Sequence, residues 1–157
     1  MVNKVVWSSN KEDWGTPKDL FKRLNDKYCF DLDPAASHIN HLTSEYCTVE
    51  GRFLQRYAAD HRGIRISDED GLTTSWQGRH VFLNPPYGRG IGAWVQKAAE
   101  ESQGSALVVA LLPVRTGTRW WREWVVPYAD IEYLPGRLRF EGSDNSAPFD
   151  SCIARYR

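Results

Sequence analysis

Hydrophobic positions along the chain change several times between a helical period and a strand-like period. Behind Thr16 and Pro17, which fit an N-cap and a first-turn proline, apolar residues recur at helical spacing and predict a first helix over about residues 17–27. The same kind of spacing predicts further helices over residues 93–101 and 118–125. The chain is therefore expected to contain at least three helices separated by other elements.

Short apolar runs bounded by turn residues predict strands between these helices. The predicted strands are 29–33, 80–83, 106–112 and 130–134, followed by a closing antiparallel pair formed by 137–140 and 151–156. Residues 106–112 are the most apolar run and end at Pro113, as expected of a strand buried on both faces. Alternating helices and strands predict an α/β fold with a mostly parallel sheet and an antiparallel C-terminal strand pair.

The remaining stretches have weaker patterns. Residues 1–13 are polar and are expected to form a flexible arm ahead of a single domain at 14–157. A short helix is expected within residues 35–46, and residues 52–63 fit either a helix or a loop. Residues 68–72 have the composition of an acidic turn.

The composition is that of a globular protein with one core. The chain has 157 residues, of which 41% are hydrophobic and 25% charged, and no segment reaches the roughly eighteen consecutive apolar residues of a membrane span. The N-terminal segment lacks the apolar region of a signal peptide, which predicts a cytoplasmic protein. Three widely spaced cysteines indicate reduced, structural thiols, and no metal site is predicted. Because the formal net charge is zero, contact with nucleic acid would have to come from a local basic patch.

Polar or proline-bearing stretches follow three of the predicted strands directly. They are Asp33-Pro34-Ala35-Ala36, Asn84-Pro85-Pro86-Tyr87 and Pro113-Val114-Arg115. In parallel α/β sheets, ligands bind outside the carboxyl ends of the strands. All three stretches are therefore expected at one edge of the sheet, where a site would lie.

The stretch Asn84-Pro85-Pro86-Tyr87 has two explanations. Two successive prolines make a rigid turn, which is a sufficient structural reason for them. They also remove two N–H donors, so the Asn84 side-chain oxygen and the Pro85 carbonyl would be free to accept both hydrogens of an exocyclic amino group. Tyr87 could then stack on the planar group that carries the amine.

The motif and its surroundings resemble a known family. Asn84-Pro85-Pro86-Tyr87 is similar to the catalytic (D/N/S)-PP-(Y/F/W) motif of S-adenosylmethionine-dependent amino-methyltransferases, and the chain resembles the small phage Dam-type DNA adenine-N6 methyltransferases. The supporting stretches are Trp14-Gly15-Thr16-Pro17, Asp31-Leu32-Asp33-Pro34-Ala35-Ala36, Asp70-Gly71-Leu72 followed by Trp76, and Trp120-Trp121. The resemblance covers nearly the whole chain from about Trp14, and it implies a Rossmann-like methyltransferase fold, S-adenosylmethionine as cofactor and DNA as substrate.

The resemblance also implies cofactor-binding roles for individual residues. Asp33 would face the methionine end of the cofactor, with Pro34 and Ala35 shaping the backbone beside it. The same end would be covered by Trp14, Thr16 and Pro17. The adenine of the cofactor would be held by Asp70 together with Gly71 and Leu72. Each has a simpler explanation too, such as a surface acid at Asp70, an N-cap at Thr16 or a strand-ending turn at Asp33. The chain departs from the family pattern after its first strand, where Ala35-Ala36-Ser37-His38 replaces a glycine-rich loop.

Adenine N6 would be methylated after the base flips out of the duplex. The residues expected to contact the DNA backbone are Arg89, Arg115, Arg119 and Arg122, although each equally fits an ordinary surface charge. Cytosine-N4 methylation, protein glutamine methylation and a binding module without turnover remain open. Specificity would come from residues 52–63, from the loop at 136–150, or from both, or it would be relaxed.

Overall fold

The computed structural model describes residues 14–36, 41–43, 45–48 and 65–157. Its helices are α1 (Lys18–Tyr28), α2 (Ile91–Ser102) and a short π-helix (Trp121–Val125). Its strands are β1 (Leu32–Ala36), β2 (Glu45–Thr48), β3 (Arg65–Asp70), β4 (His80–Leu83), β5 (Leu107–Pro113), β6 (Ala129–Tyr133) and β7 (Ser151–Tyr156). None of the described helices is long and apolar enough to cross a membrane.

The strands described form one sheet in the order β3-β2-β1-β4-β5-β7-β6. Strands β1 to β5 pair in parallel, whereas β7 is antiparallel to both β5 and β6. The predicted fold class, a Rossmann-like α/β sheet that ends in an antiparallel pair, is confirmed. Because the strand order reverses between β1 and β4, the crevice outside their carboxyl ends is the expected ligand site.

Side chains of the central strands alternate between two cores, one on each face of the sheet. Val81 and Leu83 of β4 pack with α2 and the π-helix, while Phe82 packs on the opposite face with Leu24 of α1. Strand β5 is buried on both faces in the same way, as its apolar run predicts. The helices therefore cover both faces and leave the strand ends to form the site.

The first strand is shifted from its predicted position. The prediction ended the strand at Asp33, but β1 runs from Leu32 through Pro34 to Ala36. Its register with β2 is irregular between Asp33 and Ala36, because Pro34 has no N–H to donate to the ladder. The strand accommodates the proline by a change of register and does not stop there.

Two strands were missed by the sequence patterns. The described residues of the range 35–46 contain no helix, since Ala36 lies in β1 and Glu45–Thr48 form β2, while residues 37–40 and 44 of that predicted helix lie outside the described residues. The acidic turn predicted at 68–72 is in part β3, a charged strand at one end of the sheet described, where charge on an edge is expected. The predictions for residues 1–13 and 52–63 lie outside the described residues.

The C-terminal strand pair was assigned the wrong partner. Residues 137–140 were predicted to pair with β7, but they form no strand, and β7 lies between β5 and β6. Phe140 is instead buried in the core on the α1 side of the sheet. The helix predicted over 118–125 is a π-helix over Trp121–Val125, where the Val126 N–H donates to the Trp121 carbonyl at 3.1 Å.

Candidate active site

The carboxyl ends of β1 and β4 lie side by side at the reversal of strand order. Leu32 of β1 pairs with Val81 of β4, so the residues that follow them run toward the same edge. Asp33 and the side chain of Asn84 therefore flank the expected crevice. The prediction that these strand ends share one edge is confirmed by the parallel pairing.

The Asn84 amide is held in a defined orientation. Its Nδ2 donates to the Trp14 carbonyl oxygen at 2.5 Å and to the Thr16 Oγ1 at 3.0 Å. Its Oδ1 is buried and accepts from no donor among the described residues. A buried amide oxygen without a donor costs about 1–3 kcal/mol, so this atom is ready to accept a hydrogen bond from a ligand.

Tyr87 is fixed beside Asn84 by its hydroxyl and its ring. The hydroxyl donates to the Leu111 carbonyl oxygen of β5 at 2.9 Å, and the ring lies edge to face with Phe140 and Phe149 at centroid distances of 6.0 and 5.6 Å. Burial raises the pKa of this hydroxyl well above its usual value, so Tyr87 stays neutral. Between Asn84 and Tyr87, Pro85 is buried and Pro86 half-buried.

An aromatic cluster supports this motif from the N-terminal side. Trp14 packs on Phe140 at 5.1 Å and on Phe149 at 5.4 Å, and the Arg115 guanidinium lies 5.6 Å above the Phe149 ring. The sequence patterns did not identify Phe140 and Phe149 as site residues. The only signal available was their aromatic character in a stretch that is otherwise polar.

Asp33 is a buried acid on the β1 side of the crevice. Its side chain is 4% exposed and accepts hydrogen bonds from the backbone N–H groups of Ala35 and Leu42. Burial is the largest influence and raises the pKa of Asp33 to about 7. An acid with this pKa can ionise fully at neutral pH once a cation reaches it.

The stretch Asp70-Gly71-Leu72 lies against the end of β1. Asp70 Oδ1 accepts from the Leu72 N–H at 2.9 Å, and no donor among the described residues contacts its Oδ2. A methyl group at Gly71 would stand 1.8 Å from the Pro34 carbonyl oxygen, so only glycine fits. Buried Trp76 donates from Nε1 to the Gly71 carbonyl at 3.0 Å and holds the turn. The structure thus brings two separate predicted cofactor stretches together.

Thr16 differs from its predicted role at the start of α1. The N-cap of α1 is Pro17, and no side chain of the described residues caps the helix. Thr16 is 2% exposed and its hydroxyl oxygen accepts from Asn84. The prediction of Thr16 as N-cap is therefore wrong, and the contact it makes is with the candidate catalytic amide.

The four predicted DNA-contacting arginines are all exposed. The side chains of Arg89 and Arg122 make no hydrogen bond or ion pair with described residues, Arg115 lies over Phe149, and Arg119 pairs with Glu123 at 2.8 Å. The described residues contain no group of three His, Cys, Asp or Glu side chains that could hold a metal ion.

Comparison with known proteins shows which fold and which family this chain has. The chain is similar to the crystal structure of the 23S rRNA methyltransferase ErmE, with a TM-score of 0.58 and 17% identity over 92% of this chain and 69% of that one, a likeness of fold. The model of the DNA N-6-adenine-methyltransferase (Dam) family matches residues 5–154, and the chain belongs to that family.

Two phage proteins called DNA N-6-adenine-methyltransferase are similar in sequence. The Escherichia phage T1 protein is 30% identical over 127 residues, which are 80% of this chain and 45% of that protein. The protein of Haemophilus phage HP1 (strain HP1c1) is 27% identical over 153 residues, 96% of this chain and 78% of that protein. The chain thus spans less than half the length of the first relative and about four fifths of the second.

Proposed function

We propose that this chain transfers a methyl group from S-adenosylmethionine to the N6 amino group of adenine in DNA. The observation that carries the proposal is the Asn84 side chain, whose buried Oδ1 has no donor in the described part of the chain while its Nδ2 is fixed by Trp14 and Thr16. Membership of the Dam family and the position of the motif at the strand-order reversal support it. Because both relatives are phage proteins and the substrate is DNA, we place the reaction in the cytoplasm of a bacterial host.

The residues around β1 fit S-adenosylmethionine. Asp33 offers a buried carboxylate for an ammonium group, and Asp70 Oδ2 offers an acceptor for an adenine amino group. Gly71 lets the Pro34 carbonyl approach its Cα closely, which keeps the Asp70 stretch beside the end of β1, and half-buried Leu72 offers an apolar surface for a ring. When bound, the cofactor supplies a methyl group that its sulfonium already activates.

Asn84 and Pro85 act on the amino group of the flipped base. Asn84 Oδ1 accepts one N–H, and the Pro85 carbonyl accepts the other, which turns the nitrogen lone pair out of conjugation and toward the methyl donor. The Tyr87 ring, anchored by its hydroxyl on β5, supports the base by stacking. Positioning the two reacting atoms in this way contributes several kcal/mol, up to about 7–11 kcal/mol in well-oriented systems.

Binding of S-adenosylmethionine is expected to tighten as the pH rises from about 5 to 7. The ionised form of Asp33 accepts from the ammonium, and since its pKa is about 7, a proton must leave on binding below that pH. The dissociation constant should fall up to about tenfold per pH unit in this range. Calorimetry in buffers of different ionisation enthalpy should record one proton released. In Asp33→Asn, binding should be weaker at pH 7 and independent of pH; the same slope in that variant contradicts the assignment.

The raised pKa of Asp33 also gives the sign of an effect on stability. An unfolded Asp ionises near 3.8, whereas the folded protein keeps the proton until about pH 7. The contribution to folding is therefore complete below about pH 4 and is lost as the pH rises to 7.

Removing an arginine that contacts DNA phosphate is expected to weaken DNA binding and flatten its salt dependence. Arg89→Ala and Arg115→Ala should each lower the slope of log K against log salt by about 1. Arg119→Ala should have a smaller effect, because Glu123 already neutralises that guanidinium. Fluorescence anisotropy at several salt concentrations measures the slopes.

Arg157→Ala is the matched control for the DNA-binding variants. Arg157 follows β7, whose residue Tyr156 pairs with Val108 at the opposite edge of the sheet. Its removal should leave the slope unchanged. Equal slopes for Arg89→Ala, Arg115→Ala and Arg157→Ala would show that Arg89 and Arg115 do not contact DNA phosphate.

The function itself is tested with labelled S-adenosylmethionine and unmethylated DNA, digested to nucleosides after incubation. Label should appear in N6-methyladenine. Label in N4-methylcytosine or in protein would show that Asn84 and Pro85 bind a different amino group. Binding of the cofactor without any transfer would identify a binding module without turnover.

A further inference from the structure

We propose that Thr16 is a positioning residue that holds the Asn84 amide in the one orientation that presents Oδ1 to an amino group. The inference rests on the proposed function of Asn84, and it gives Thr16 a role other than cofactor binding. The Thr16 hydroxyl oxygen lies 3.0 Å from Asn84 Nδ2, and the Trp14 carbonyl oxygen lies 2.5 Å from the same atom.

The Trp14 carbonyl leaves the amide a single orientation, and in that orientation the Thr16 hydroxyl oxygen accepts its second hydrogen. The Trp14 carbonyl is an acceptor only, so a rotation of the amide by half a turn would place Oδ1 against another oxygen at 2.5 Å. Thr16 adds a second acceptor on the same side, and it is 2% exposed, so water cannot take its place freely. Oδ1 is thereby directed away from both groups, and none of the residues that the structure describes donates a hydrogen bond to it.

The segment that carries these acceptors is itself held in place. The Gly15 carbonyl accepts from the Glu141 N–H at 2.8 Å in a strand-like bridge, and the Trp14 ring packs on Phe140 and Phe149. The grip on Asn84 therefore comes from a fixed backbone about 70 residues earlier in the sequence. A cofactor ligand would need no such contact with Asn84.

The test compares Thr16→Val with Thr16→Ser. Valine keeps the shape but has no acceptor, so kcat should fall roughly 3- to 10-fold, the equivalent of one neutral hydrogen bond. The KM for S-adenosylmethionine should change less than twofold, and thermal unfolding should confirm that the variant is folded. Serine restores the acceptor and should recover most of the lost kcat.

Three outcomes overturn the inference. A higher KM for the cofactor with unchanged kcat would make Thr16 a cofactor ligand, as the sequence first predicted. Unchanged kinetics in Thr16→Val would remove its role, and an equal loss in Thr16→Ser would show that the hydroxyl oxygen is not what matters. In each case the wild-type protein still forms N6-methyladenine, whereas failure of the proposed function would show as no product from wild type.

An Asn84→Asp variant gives a second, independent readout at saturating cofactor. An ionised carboxylate has no proton for Trp14 or Thr16, whereas the protonated acid donates its one proton to one of them and presents its other oxygen as an acceptor. The relative activity of Asn84→Asp to wild type should therefore increase as the pH falls through the pKa of the new carboxyl. If the activity of Asn84→Asp relative to wild type stays constant or increases with pH, the proposed orientation of the Asn84 side chain by Trp14 and Thr16 is contradicted.

Discussion

Replacing Asn84 by alanine is expected to lower the rate of methyl transfer to adenine by at least about 100-fold, the usual cost of losing one preorganised group at a reacting centre. The variant loses the motif's buried amide oxygen, which has no donor among the residues described. Cofactor binding should be retained, because Asp33, Asp70 and Gly71 hold the predicted cofactor site. Single-turnover transfer of label to DNA measures the first effect, and calorimetry with S-adenosylmethionine measures the second.

A matched control separates this loss from a general effect of removing an amide. Gln96→Ala removes an exposed amide from α2 whose Nε2 donates to Glu100 at 2.8 Å. Its transfer rate should remain within about twofold of wild type, as expected for an exposed substitution. Transfer at the wild-type rate in Asn84→Ala would end the proposed mechanism, whatever Gln96→Ala shows.

Replacing Gly71 by alanine is expected to abolish S-adenosylmethionine binding or to unfold the protein. The new Cβ would stand 1.8 Å from the Pro34 carbonyl oxygen and 2.8 Å from its carbonyl carbon, and a backbone group cannot move aside as a flexible side chain can. Either β1 or the turn after β3 must shift, which separates Asp33 from Asp70. Overpacking of this kind typically costs about 1–3 kcal/mol and more when backbone is displaced.

Gly92→Ala is the matched control for Gly71→Ala. Gly92 lies in α2, and its added methyl would meet the Trp120 Cβ at 3.5 Å, an ordinary contact. Alanine is the better helix former, so the melting temperature should stay the same or increase. Thermal unfolding and a cofactor-binding isotherm are measured for both variants. If Gly71→Ala melts and binds as Gly92→Ala does, the close approach to Pro34 has no importance for the site.

The sequence identified the elements whose signal is local. The buried β5 is predicted by a continuous apolar run, and the motif at Asn84 by its place directly after β4. A strand end followed by proline and polar residues predicts both position and chemistry, because the carboxyl ends of parallel strands share one edge. The residue-by-residue roles in the cofactor site remain predictions, as do the flexible arm and the domain boundary.

The sequence could not indicate features that depend on distant partners. Strand β3 is charged and has no apolar period, since its place at the end of the sheet does not require burial on two faces. The segments β5, β6 and 137–140 could each pair with β7, and no local sequence pattern indicates which of them do. Thr16 fits an N-cap by its type and by the proline after it, and only the fold brings Asn84 to its hydroxyl.

The position of β7 has a consequence for the order in which the chain assembles. Among the described strands, β6 has hydrogen-bonded neighbours only in β7, and β7 is bonded to β5. The earlier strand β6 can therefore join the sheet only through β7, which comes later in the chain. Such non-local pairing slows folding, because the intervening loop has to close before any contact compensates for its lost entropy. The slow step in assembling this protein is thus expected at β7, on the far side of β5 from Asn84.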